Sequence, residues 1–221
     1  MKGYRIAGAP QRHLGDLAPD DARMAGLQIA MGMTGAHAPD NEYMDIIGPY
    51  ESARMKKDMA TMSGCGLVAR AYLRFLGFRT FHFAPPYMIG NAFQDVSAYA
   101  YEHDCFSYSL ERSQMGAIVC MGGGTAAHMA VFLAVNSYDE KPYAWTVDGG
   151  QVDSKGRQRI TYRRRAIEMK DGVILSFERR KVNWTLDPLD LSEKIGASLP
   201  WAMPLRDTAP EAPPPGFHFG A

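Results

Sequence analysis

Apolar residues recur along this chain at two different spacings, and the spacing changes partway along it. Leu67, Val68, Ala71, Tyr72, Phe75 and Leu76 lie three and four apart, which predicts a helix with one apolar face and with Arg70 and Arg74 off that face. Ser63 and Gly64 can cap its start, and Gly77 can end it. Upstream, residues 1–19 read as extended and loop-like. Asp20–Met33 reads as a helix with an acidic first turn. Tyr43–Ile47 begins another helix that Gly48-Pro49 stops, and Glu51–Ala60 is a short polar helix leading toward Cys65. Downstream the pattern turns to strands. Ala117–Met121 is a short apolar run ended by Gly122, Gly123 and Gly124. His128–Val135 is apolar on both faces, as in a strand covered on each side. After turn chemistry at Asn136–Pro142, Tyr143–Asp148 reads as a strand ended by Gly149 and Gly150. Arg157–Arg165 and Gly172–Lys181 read as two further strands of the same sheet. Their basic residues form either a solvated, edge-protecting face or a surface for an anionic polymer.

Three residues sit where chemistry is favoured. Cys65 opens the predicted helix, where the positive end of the helix dipole favours the thiolate. A small buried thiol at a helix margin is the plain alternative. His128 opens its strand and Asp148 closes the next. If those strands form a hairpin, the two become cross-strand neighbours, and a carboxylate beside an imidazole fixes its tautomer and stabilises its cation. A strand-end histidine and an Asp-Gly-Gly terminator are each common alone. Together with Cys65 they make a nucleophile, a base and an orienter. The backbone N–H of Cys65 can serve as one oxyanion donor, with Ser63 and Gly64 as support. Gln151 is the rival for the third position.

Three segments resemble papain-like cysteine hydrolases of the NlpC and CHAP type (cysteine, histidine-dependent amidohydrolases/peptidases). They are Ser63-Gly-Cys-Gly-Leu-Val68, Met115–Gly123 with His128–Leu133, and Thr146–Gln151. The similarity covers roughly residues 50–165. It implies an α+β, papain-like fold, in which the nucleophile helix packs on an antiparallel β-sheet beside an N-terminal helical segment. It implies Cys65 as nucleophile, His128 as base and Asp148 as orienter, acting on an amide bond through a thioester. The substrate implied is a peptide of peptidoglycan, as for a secreted, injected or phage-associated bacterial cell-wall amidase. Gly116 is followed by Ala117 where the family often has Gly-Asp, and no glutamine lies between Tyr50 and Cys65 to serve as a second oxyanion donor. The alternatives are an inactive peptide- or glycan-binding module of the same fold and a protein-directed deamidase or acyltransferase.

Composition narrows the picture further. A chain of 221 residues with 46% hydrophobic content supports one core. The expected domain spans 1–195, with its centre at about 50–182, followed by a Pro-rich extended tail at 196–221. Net charge is +0, so a general nucleic-acid footprint is absent. No signal peptide or membrane span is legible, which implies a cytoplasmic protein or a non-classical export route. Three cysteines make no disulfide framework. Cys120 reads as a core residue. The His103-Asp104-Cys105 cluster lacks a second ligand pair, so neither a metal nor a cofactor is expected. Fourteen methionines, several of them before Cys65, read as core filling. The stretch 78–114 is aromatic-rich with a helix near Ala92–Tyr101. It is either a wall of a substrate cleft or a packed excursion.

Overall fold

Two tight turns decide the architecture. Asp171 and Gly172 both have positive φ, 51° and 81°, and join strands paired at Lys170 and Val173. Glu178 and Arg179, with φ of 48° and 68°, join strands paired at Phe177 and Arg180. Positive φ at both central residues matches the right-handed twist of a two-residue hairpin. The second turn falls inside Gly172–Lys181, which the apolar pattern reads as one strand, and divides it into two. The computed structural model describes residues 13–48, 52–53, 64–78, 92–136, 141–196, 200–204, 206–215 and 217.

Seven strands follow in chain order: β1 (Leu110–Glu111), β2 (Ile118–Met121), β3 (His128–Asn136), β4 (Tyr143–Val152), β5 (Gln158–Lys170), β6 (Val173–Phe177) and β7 (Arg180–Leu186). All pairings are antiparallel, in the order β1-β6-β5-β4-β3-β2-β7, and β7 pairs with β6 as well as with β2. Strands β2 to β7 therefore close into a six-stranded barrel. This corrects the expected papain-like arrangement of a helix on an open sheet. The Glu-Arg turn lets β7 fold back across β2, and it carries none of the usual turn residues that would announce it. Register shifts at Cys120/Met121, Phe132/Ala134, Asp148/Gln151 and Glu168/Met169 add the bulges that bend strands into so small a closure.

Closure gives β2, β3 and most of β4 two buried faces. Val119, Met121, Ala130, Phe132, Ala144, Ile167, Ile174 and Phe177 fill the barrel interior. Alternating with them, Ile118, Cys120, Met129, Val131, Trp145, Val147 and Ile160 point outward into the larger cluster shared with the helices. This is why β3 reads as apolar on both sides. Five α-helices are described: α1 (Pro19–Gly32), α2 (Asn41–Ile47), α3 (Gly64–Phe75), α4 (Ala92–Glu102) and α5 (Pro188–Ile195). Helix α3 lies against β3 and β4 and is buried along its whole length. Arg70 and Arg74 are therefore not on a solvent face. Arg70 pairs with Asp95 of α4 at 2.8 Å, and Arg74 donates to the Ile46 carbonyl. Residues 200–204, 206–215 and 217 pack along this helical layer and β5. Ala202 N–H donates to Phe75 O, Arg206 pairs with Glu42, and Thr161 donates to Glu211. Most of the predicted helix 51–60 and residues 79–91 lie outside the described residues. No helix among the described residues is long and apolar enough to cross a membrane.

The barrel makes opposite demands on neighbouring positions of β6. Phe177 is fully buried at the closing pair, whereas Leu175 is 47% exposed. Phe177→Ala should lower unfolding free energy by about 3–5 kcal/mol, and Leu175→Ala by less than about 0.5 kcal/mol. Urea titration of both variants checks this.

Candidate active site

Cys65 is the second residue of α3, and the first turn of any helix presents backbone N–H groups without intrahelical partners. What brings that helix end to the barrel is a pair of glycines in β4. A Cβ on Gly149 would collide with the carbonyl oxygen of Gly64 and with Val68, and one on Gly150 would stand 3.1 Å from the Cys65 backbone nitrogen. Gly150 also has φ of 71°, which favours glycine. These glycines do not end the strand, as their residue type suggests. They form a bulge inside β4, which continues to Val152, so Gln151 lies within the strand and pairs with Arg159.

His128 is the first residue of β3 and lies opposite Met121 of β2. Asp148 lies opposite Ala130, not His128. The expected register is therefore corrected by two residues. The hairpin closes at the Asn136–Tyr143 pair, three residues out of the expected register, and an extra residue in β3 between Phe132 and Ala134 brings it back by one. His128, Ala130 and Phe132 still share a face, as do Ala144, Thr146 and Asp148, so both functional side chains project to the inner side of the barrel. They meet diagonally: His128 Nε2 lies 2.5 Å from Asp148 Oδ2. The thiol of Cys65 hydrogen-bonds the same imidazole. Among the sequence-derived candidates, the structure thus brings Cys65, His128 and Asp148 together. Gly64 packs against Gly150, and Gln151 is half-buried beyond the bulge. Ser63 lies outside the described residues.

Asp148 is wholly buried and carries more than its histidine. Thr146 Oγ1 donates to Asp148 Oδ1 at 2.5 Å, and the Arg165 guanidinium donates to Oδ2. Arg165 also donates through Nη1 to Glu178 Oε2 at 2.5 Å and through Nε to Thr146 at 3.3 Å. Only 3% of Arg165 is exposed, so it departs from the solvated face expected of the β5 arginines. Its inward position follows from pairing opposite Ala144, an interior residue, once the barrel is closed. From sequence, the signal was the alternation Arg163, Arg165, Ile167, which shares a face with an interior residue.

Electrostatics follow from these contacts. Burial pushes the Asp148 carboxyl up, but the His128 bond, the Arg165 charge and the Thr146 bond outweigh it and hold Asp148 below the usual carboxylate range. Burial pulls His128 down. Its bonds to Asp148 and to Cys65, with the charges on both, push it up to about 9. The pair therefore carries an imidazolium at neutral pH. Two neighbours stay neutral: burial, and then the charge at Cys65, raises the Tyr43 phenol. Burial pushes the Cys120 thiol up to about 12 against a hydrogen bond with Asn183. Cys105 is also raised, mainly by burial, and its Sγ lies 3.3 Å from the His103 carbonyl. Among the described residues, no group of three His, Cys, Asp or Glu side chains could hold a metal ion.

In comparisons with known proteins, no family model, no curated protein and no solved structure matches the chain.

The close approach of α3 to β4 predicts the effect of a single methyl group. Gly149→Ala should destabilise the fold by about 1–3 kcal/mol and slow alkylation of Cys65, because the helix start must move away from the barrel. Thermal unfolding and mass-mapped labelling measure the two effects separately.

Proposed function

We propose that the protein hydrolyses an amide bond through a thioester on Cys65, and that its substrates are peptides of the peptidoglycan class. The observation that supports this most is the 2.5 Å contact between His128 Nε2 and the buried Asp148 carboxylate, with Cys65 bonded to the same imidazole. In this reading the Cys65 thiolate attacks the substrate carbonyl carbon, and the backbone N–H groups at the start of α3 receive the developing oxyanion. The C–N bond breaks as His128 gives its proton to the leaving amine. Water then attacks the thioester, giving its proton to His128 and releasing the acid. Asp148 holds the imidazole and stabilises its cation throughout. The resemblance to NlpC and CHAP hydrolases supplies the substrate class. The exposed Arg163 and Arg164 of β5 add cationic surface that suits an acidic glycopeptide.

Incubating purified peptidoglycan with the protein and with Cys65→Ala, followed by mass spectrometry of the released fragments, tests the proposal. New amine and acid termini with wild type, and none with the variant, are expected. Fragments that persist with Cys65→Ala, or none with either protein, would refute it. The rival third residues separate in the same assay: Asp148→Asn should lower turnover by about 10²-fold or more, and Gln151→Ala by less than about threefold.

The pH dependence has a definite sign. His128 is raised, so its imidazolium and the ion pair it makes are fully present below the ordinary histidine value, about 6.5. They are lost as pH rises through about 9. Turnover, which needs that proton for the leaving amine, should fall above pH 9. Alkylation of Cys65, which needs only the thiolate, should not fall there. Parallel rate profiles check the difference.

A further inference from the structure

We infer that Arg165 is a positioning residue for this site: from inside the barrel it fixes the Asp148 carboxylate in the ionised form and orientation that hold His128. The inference rests on the triad reading above and adds a fourth group that the triad does not contain.

The geometry carries it. Asp148 has no exposed surface, and a carboxylate taken out of water is strongly disfavoured unless charge and hydrogen bonds replace the solvent. Three donors converge on it: His128, Thr146 and Arg165. Thr146 is neutral, and His128 is the group whose protonation changes during the reaction. Among the described residues Arg165 is therefore the one permanent cation on the carboxylate, because a guanidinium does not deprotonate in a protein. When His128 gives up its proton to the leaving amine, Asp148 keeps a positive partner and stays an acceptor. Without it, the buried acid would take a proton and lose its hold on the ring.

Arg165 is itself pinned at both ends. Its fork spans Asp148 Oδ2 and Glu178 Oε2, and its Nε reaches Thr146. Glu178 sits on the turn that closes the barrel, between β6 and β7. The ionisable groups around His128 alternate in sign across the elements that meet here. They are Cys65 of α3, His128 of β3, Asp148 of β4, Arg165 of β5 and Glu178 of the closing turn, with Arg163 of β5 at 3.9 Å from Glu178. Tyr43 of α2 and Cys120 of β2 stand near Cys65 as neutral groups. The turn that shuts the barrel thus also anchors the cation behind the catalytic carboxylate.

The test is the titration of the Asp148 carboxyl in the full chain by ¹³C NMR, without substrate. Arg165→Met, close in volume, should raise the Asp148 midpoint by about one pH unit, a tenfold gain of proton affinity. Arg165→Lys keeps the charge and should reverse most of the shift. A folded Arg165→Met protein with the wild-type midpoint overturns the inference, as does an Arg165→Lys protein that reverses none of the shift. If Arg165→Met fails to fold, Glu178→Gln decides, since that side chain is 38% exposed and its loss leaves the core intact. Its Asp148 midpoint should rise by about half a unit because the guanidinium loses its anchor, whereas loss of a nearby negative charge alone would lower it; an unchanged or lowered midpoint overturns the inference. Failure of the functional reading is distinguishable. A wild-type protein without amidase activity whose Asp148 midpoint still depends on Arg165 loses the proposed reaction and keeps the positioning role. An active wild type with an Arg165-independent midpoint does the reverse.

Discussion

A fully buried carboxylate, Asp148, is the constraint around which the site is built. An ion of that size costs several kcal/mol to bury after relaxation, and only well-placed partners offset it. Here the offset comes from three different strands. His128 is supplied by β3, Thr146 by β4 itself and Arg165 by β5. Each partner reaches Asp148 only because the sheet curves enough to turn these positions inward. Removing one partner of such a buried pair typically costs about 3–5 kcal/mol, so the polar cluster and barrel closure support each other.

The same curvature explains how α3 meets the barrel. A regular strand at Gly149-Gly150 would carry side chains into the space that Gly64 and Val68 occupy. With two glycines and a bulge, the backbone of β4 comes within contact of the helix start. The thiol at that start then reaches a histidine whose ring lies on the inner side of the barrel wall. The outward faces of the strands share one apolar cluster with the helices, Cys65 included, and the inward faces form another inside the barrel.

Much of this was legible in the sequence, and the gaps have physical causes. Helix α3 and strands β2 and β3 follow from their apolar spacing, to within a residue or two. The grouping of Cys65, His128 and Asp148 was also reachable, since a helix start and two strand ends narrow where side chains can meet. Closure was not legible, because the turn at Glu178-Arg179 uses residues with no turn preference and only tertiary pairing holds them at positive φ. The register of the β3–β4 hairpin was off because the pair that closes it, Asn136 with Tyr143, leaves no mark on the hydrophobic pattern. Arg165 was read as solvated for the same reason as Arg70 and Arg74. A charge alone says "surface", and only the partners, Asp148, Asp95 and the Ile46 carbonyl, say otherwise.

The central claim is that Cys65 stands as a thiolate beside a charged His128, and competitive alkylation tests it most directly. At pH 7, limiting iodoacetamide should label Cys65 at least about tenfold faster than Cys105 or Cys120, whose thiols burial keeps protonated. Changing His128 to Ala should abolish that advantage. Equal labelling of the three cysteines, or a Cys65 rate indifferent to the loss of His128, would contradict the claim.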